Sequence, residues 1–459
     1  MIAAVSLILS ALSASTLVLA APRPISQPAF EKKSALPTHW YHKRDHPVHE
    51  LFRRGPGDDP LPAVGSPEWA ANFAGVGQTP ENNIPQKWLD ALAAAEHAGL
   101  IPNFAPALTT DGGLTTSSYP PGTNAGQEPI CSSMYQCRHQ DDVWDAPANM
   151  IGLSVDDGPV SYPTASPRLY DFLKANNQKV THFMIGANIL GNPQMFLRAY
   201  EELDDDIAVH TWTHRHMSTL TNRQLVADLG WTLQIIHDST GGRVPQYWRP
   251  PFGDADNRVR AVAMHVFGMT TVIWNQDSQD WTMAAPGGTT LPAIQAAFTR
   301  WLNGPRNPGL IVLQHEITAD DVTAFINMYP LIAAASEAGR AQGLEPWRVV
   351  SVSQLFDGSA DGTQGSSEHE GWYQNSWNNT AAVDDVDIID GGYAASISDA
   401  SLTASATPTS RAANGTAPGG PTGTTIPTQS VSINSATVGK KGVWATVALG
   451  LAGVFALVL

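Results

Sequence analysis

The stretch MIGLSVDDGPVSYPTASPRLYDFL, residues 150–173, runs from an apolar segment through two adjacent carboxylates into a helical pattern. Residues 150–155 are uncharged and end at Asp156, Asp157, Gly158 and Pro159, where Gly-Pro is turn punctuation. An apolar run this short, bounded by a turn, suits a buried strand better than a helix. Comparable runs follow at 180–185, 207–209, 271–274, 310–313 and 349–352. Between them lie helical patterns. Thr221 and Gln224 form a capping box, Leu225, Leu229, Leu233 and Ile236 make an apolar stripe, and Gly241 sits past its end. A second helix spans about 258–267 and stops at Gly268. Strand–helix alternation predicts a parallel sheet with helical crossovers.

Polar clusters follow the strands. Asp156 and Asp157 come after the first, and His210 and His214, in HTWTH, after the third. Asp277, Asp280 and Trp281, in DSQDW, follow residues 271–274, and His315, in LQHE, follows 310–313. Arg249, in YWRPPFG, lies between. In a closed parallel barrel all of these would meet at the C-terminal face of the strands.

The residue types suggest a chemistry. His210 and His214, four apart, would share a face on a helical turn and could chelate one metal, although His216 offers a rival pairing. A carboxylate from the opening stretch completes two histidines and one acid, with a fourth position for water: a catalytic zinc arrangement. The second carboxylate beside it would then serve as base. Asp277 reads as a partner of Arg249 or as a loop cap, and Trp212 and Trp231 read as core.

The ordered set SVDDGP, HTWTH, RPPFG, DSQDW and LQH resembles the five motifs of the polysaccharide deacetylase family, with its NodB-type homology domain, and is most similar to the fungal glycolipid-anchored (GPI) chitin deacetylases. The resemblance covers about 146–358 and implies a distorted (β/α) barrel. It implies Asp157, His210 and His214 as ligands of Zn2+, for which Co2+ may substitute. Asp156 matches the general base, His315 the general acid, Arg249 the residue that orients the base, and Asp280 the partner of the acid histidine. Phe252 matches the backbone oxyanion donor, with Trp281 and Leu313 as walls of the acetyl pocket. Ser154-Val155 stands in place of the commoner Thr-Phe, and Phe252 in place of Tyr. Both departures leave the reacting groups intact and bear on substrate preference.

The ends read as addresses. Residues 2–20 are apolar and small, as in a signal peptide, and the pairs Lys43-Arg44 and Arg53-Arg54 suit processing of a secreted precursor. Residues 443–459 form an apolar tail behind a short polar spacer and the small triplet Asn434-Ser435-Ala436, the order of a glycolipid-anchor signal with Asn434 or Ser435 as attachment point. The alternative is a tail-anchored helix. The Ser/Thr/Pro/Gly-rich stretch before it reads as a glycosylated stalk, and Asn378 and Asn414 as N-glycosylation acceptors. The two cysteines, Cys131 and Cys137, should pair in an oxidising compartment.

The expected organisation is therefore a signal peptide (1–20), a possible propeptide (21–54), an N-terminal extension (55–145) with a helix near 85–98, and the catalytic domain (146–358). A C-terminal extension (359–395), the stalk (396–435) and an anchor signal (436–459) removed in the mature form complete it. A net charge of −16 speaks against nucleic acid and for an uncharged or cationic partner. The expected substrate is chitin or another N-acetylglucosamine polymer, acted on outside the cell at the membrane face and wall. The alternatives are an ester deacetylase on another wall polysaccharide, or a silent wall mannoprotein.

Overall fold

The computed structural model describes residues 40–52, 61–76, 83–161 and 165–356. The expected signal peptide, stalk and anchor signal, and with them Asn378, Asn414, Asn434 and Ser435, lie outside the described residues. Among the described residues no helix is long and apolar enough to cross a membrane.

Eight strands form one sheet: β1 (Met150–Asp156), β2 (Thr181–Met184), β3 (Asp206–Val209), β4 (Tyr247–Trp248), β5 (Thr270–Thr271), β6 (Gln276–Asp277), β7 (Leu310–Leu313) and β8 (Arg348–Ser351). Every ladder is parallel, in the order β5-β4-β3-β2-β1-β7-β6. β8 pairs with Met150–Leu153 and β2 with Ser154–Asp156, so β1 serves three neighbours. The sheet is a curled half-barrel flanked by helices. Among the described residues β5 and β6 do not pair. The end of the N-terminal extension fills that gap, Val143 bridging Val272 and Ala146 bridging Gly309.

The run expected as a strand at 271–274 is mostly not one. After Thr271 the backbone turns to pair with Val143, and Asn275 then anchors the chain on β7: its N–H bonds Ile311 C=O, while its side chain accepts from Ile311 N–H and donates to Gly309 C=O. Pairing resumes as β6, with Gln276 opposite Val312. The two-residue strands β4 and β6 carry no periodicity and were not expected. The helix Asn222–Ser239 has its capping box at Thr221 and Gln224, and the helix Asn257–Phe267 ends on left-handed Gly268. The extension's helix is Gln86–His97.

Strand alternation sorts the side chains. Ile151, Leu153, Val155, Ile207, Val209, Leu310 and Val312 pack outward into the main core under the helices. Met150, Phe183, Ala208, Tyr247, Val272 and Ile311 form a second cluster inside the curl. By the period of two, Asp156 at the last position of β1, and His210, Arg249 and His315 just past their strands, continue those inner rows. The pleat thus aims the reactive groups before any loop does.

The inner cluster is plugged by Trp40, in the region read as propeptide. Its indole donates to Ile207 C=O at 2.8 Å and stacks on Tyr247 at 4.4 Å. Its edge meets Phe183, and the Arg249 guanidinium lies 4.1 Å over the Phe183 ring. Val48, Leu51 and Phe52 join the main core. The expected boundary at 54 therefore falls beyond a segment that the domain uses as core. Replacing a buried tryptophan by alanine typically costs about 3–5 kcal/mol. Trp40→Ala should accordingly lower the urea midpoint and the turnover together, while Trp40→Phe restores most of both. Unchanged unfolding in Trp40→Ala would show the plug to be dispensable.

Candidate active site

The two aspartates part company where β1 ends. Asp156 is still in the strand, with its N–H on Gln314 C=O and its C=O accepting from Glu316 N–H. Asp157 takes a left-handed φ of 72°, which turns its side chain to another side. Asp156 Oδ1 accepts from Arg249 Nη1 at 2.6 Å, and the same nitrogen reaches Ser154 Oγ at 2.9 Å. Arg249 is fully buried, its remaining donors on Val272 and Ile273 carbonyls. Burial pushes its pKa down, and the charge of Asp156 opposes that.

Asp157 faces His210 and His214 instead. Its Oδ1 lies 3.0 Å from His210 Nε2 and 3.1 Å from His214 Nε2. His210 Nδ1 donates to Arg249 C=O at 2.7 Å, so in the neutral ring Nε2 carries a lone pair. Two lone-pair atoms then confront each other across 3.0 Å, and Asp157 Oδ1 is buried without a hydrogen-bond donor. A cation between them resolves the conflict. The three ligand atoms all lie within 4.8 Å of one another, and they are the one such group among the described residues. The donor set fits a divalent metal.

The HTWTH segment is not a helical turn, as its spacing suggested. His210 ends the strand side and His214 is swung back by a loop in which Thr211 (φ 65°) and His214 (φ 53°) are left-handed. Asp228, buried on the helix Asn222–Ser239, holds that loop. It accepts from the N–H groups of Trp212 and Thr213 and from Thr213 Oγ1, all within 2.8 Å. Burial raises the Asp228 pKa despite these bonds. The rival His216 bonds Asp254 at 3.0 Å and is no part of the metal group. Trp212 and Trp231 are core.

Opposite the metal group stands His315. Its Nδ1 donates to Asp280 Oδ1 at 2.7 Å, and its N–H to Asp280 Oδ2 at 2.8 Å, so one carboxylate fixes both ring and backbone. Burial lowers the imidazole pKa, but Asp280 and then Asp157 and Asp156 outweigh it and push it up to about 10. Asp277 caps its own loop by accepting from Gln279 N–H and does not reach Arg249 among its hydrogen bonds. Phe252, left-handed at φ 59°, is 43% exposed and lies on His216 at 4.0 Å and against His214 at 4.7 Å. Leu313 is buried at the end of β7, and Trp281 is half-buried beside Asp280.

Beneath the site lies a buried group that the pattern LQHE does not mark as functional. Glu316, next to His315, is fully buried and bonds His182 Nδ1 at 2.9 Å and Ser166 Oγ at 2.6 Å; His182 Nε2 meets Asp205 at 3.2 Å. Burial would lower the His182 pKa, yet the two carboxylates raise it to about 9. Glu316 also presses on the acid turn: a Cβ on Gly158 would come 1.9 Å from its Oε1, so only glycine fits there. Cys131 and Cys137 are bonded to each other.

A profile of the polysaccharide deacetylase family matches residues 145–272. Chitin deacetylase 3 of Cryptococcus neoformans var. neoformans serotype D is 40% identical over 353 residues, 76% of this chain and 77% of the relative. The chain belongs to the polysaccharide deacetylase family. As a polysaccharide deacetylase with chitin deacetylase relatives over most of its length it is a hydrolase. A chitin deacetylase from Amylomyces rouxii is 35% identical over 236 residues, 50% of this chain and 54% of that one. Among solved structures, a family 4 carbohydrate esterase from Streptomyces lividans in complex with acetate is 30% identical at a TM-score of 0.36, covering 41% of this chain and 90% of that one.

Proposed function

We propose that this polysaccharide deacetylase removes the N-acetyl groups of N-acetylglucosamine residues in chitin, giving chitosan and acetate, with zinc held by Asp157, His210 and His214. The observation that carries the reading is the division of the Asp156–Asp157 pair, one carboxylate on a buried guanidinium and the other facing two imidazole Nε2 atoms. That relatives similar over most of the chain are chitin deacetylases supports the substrate.

An ion held by those three side chains supplies Lewis-acid polarisation of the acetyl carbonyl and an acidified water, with zinc suited to the ligand set and cobalt able to replace it. Asp156, aimed by Arg249, takes the proton from the attacking water. The backbone N–H of Phe252 donates to the carbonyl oxygen as negative charge gathers there. His315, whose Nδ1–H is committed to Asp280, gives the proton on Nε2 to the leaving amine. Trp281 and Leu313 wall the acetyl group. Secretion, and a glycolipid anchor attached at Asn434 or Ser435, belong to the same proposal. They rest on segments outside the described residues.

The raised pKa of His315 has a sign that is easily checked. The acid must be protonated, so turnover is lost as pH rises through a His315 pKa that Asp280 holds above the ordinary imidazole range. The ion pair's contribution to stability follows the same direction, complete below the ordinary imidazole value and lost through the raised one. Asp280→Asn removes the largest raising influence and should move the alkaline limb of kcat/KM down by about one to three pH units. A limb left in place would mean that another group sets it.

The substrate reading is tested by acetate release from chitin oligomers and from acetyl-xylan under the same conditions. Faster release from chitin oligomers is expected. Release from acetyl-xylan alone would favour an ester deacetylase and overturn the amide assignment.

A further inference from the structure

The N-terminal extension has no part in the chemistry above, yet two of its loops are bonded to the metal side of the site. Gly113 C=O accepts from His216 N–H at 2.7 Å, and Ser117 Oγ meets Ser218 Oγ at 2.9 Å. Gly113 is left-handed at φ 82°, and a Cβ there would lie 2.2 Å from Thr219 Oγ1, so the loop is seated closely. In the disulfide loop, Ser133 Oγ donates to Gly253 C=O at 2.6 Å and its N–H to Ala255 C=O at 2.9 Å, gripping the chain just after Phe252. Tyr119 ties the two loops: its hydroxyl donates to Asp256 and its ring meets the edge of Tyr135 at 5.8 Å.

These loops are bonded within themselves and carry exposed apolar side chains. The Asp111 carboxylate accepts from Thr109 and Thr116 hydroxyls and from the N–H groups of Gly113, Leu114 and Thr115, which fixes the turn carrying Leu114. Six large hydrophobic side chains are exposed among the described residues, and four of them are Leu108, Leu114, Tyr135 and Phe252. Single exposed apolar residues are ordinary, but a group of them continuous with an active site marks a binding surface. Phe252 lies against His214 and His216, and the loops that carry Leu114 and Tyr135 are bonded to its surroundings, Gly113 to His216 and Ser133 to Gly253.

We propose that residues 108–135 of the N-terminal extension bind the sugar chain beyond the unit being deacetylated, with Leu114 and Tyr135 as its apolar contacts. The occupant is an uncharged β-linked chain of acetylated hexosamines, whose rings present apolar C–H faces to aromatic and aliphatic side chains. This rests on the substrate reading above. Because Asp111 and the disulfide hold the loops in place beforehand, little ordering is needed on binding. The surface therefore makes long chains better substrates than short ones.

The test is kcat/KM on chitin oligomers from dimer to hexamer, with full-length protein carrying Leu114→Ala with Tyr135→Ala, Tyr135→Trp, or Leu344→Ala as an exposed apolar control elsewhere. In the double variant the gain from dimer to hexamer should shrink about tenfold, mainly through KM, the size of loss that truncating a binding contact causes. Tyr135→Trp should keep the gain and Leu344→Ala should match wild type. A double variant that keeps the full length dependence, with an unchanged melting temperature, overturns the proposal. Wild-type protein that releases no acetate from chitin oligomers of any length overturns instead the substrate reading, and the occupant assigned here with it.

Discussion

Asp156→Asn should keep its metal and lose its turnover, by about 10²–10⁴-fold, the usual worth of a positioned general base. The amide preserves the shape against Arg249 Nη1 but cannot accept a proton from water. The proposed ligands Asp157, His210 and His214 are untouched. Asp157→Asn should fail the other way. It replaces an anionic ligand with a neutral one, so metal content per chain falls first and activity follows, recovering in part at high zinc. Metal analysis beside acetate release separates the two. An Asp156→Asn protein that is empty of metal while Asp157→Asn stays full would reverse the assigned roles.

His315→Ala is expected to cost turnover on a similar scale, for a different reason. An amine leaving group must be protonated as it departs, whereas an activated phenol leaves unaided. The variant should therefore be nearly inactive on chitin oligomers yet retain most of its activity on an aryl acetate. Asp156→Asn should lose both, because the attacking water must be deprotonated in either case. Equal losses of His315→Ala on both substrates would mean that His315 acts before the leaving group departs, as a structural or water-binding group.

Much of this site was legible in the chain itself. The runs at 150–155 and 310–313 are long enough to show as strands, and their ends carry Asp156, Asp157 and His315. Alternation within those runs already aims Asp156 and His315 inward with Met150 and Ile311. Other parts leave no local trace. β4 and β6 are two residues each, too short to show a period, and nothing local marks Asn275 as the residue whose side chain anchors the chain on β7. The loop from His210 to His214 is shaped by Asp228, distant in sequence, and by left-handed residues at which nothing in HTWTH demands glycine. Glu316 was in view within LQHE, but its meaning depends on His182 and Asp205, which only the fold brings beside it. Trp40 was hidden for the opposite reason. Its neighbourhood of dibasic pairs read as a processing region, whereas its indole is 1% exposed inside the curl.

The proposed amide hydrolysis requires a metal held by Asp157, His210 and His214. The most direct measurement is acetate release from chitin hexamer by protein stripped with a chelator, confirmed metal-free, and then titrated with zinc. Activity should be absent at the start, rise linearly and level off at one zinc per chain, with cobalt giving the same end point. Full activity in the metal-free protein would contradict it.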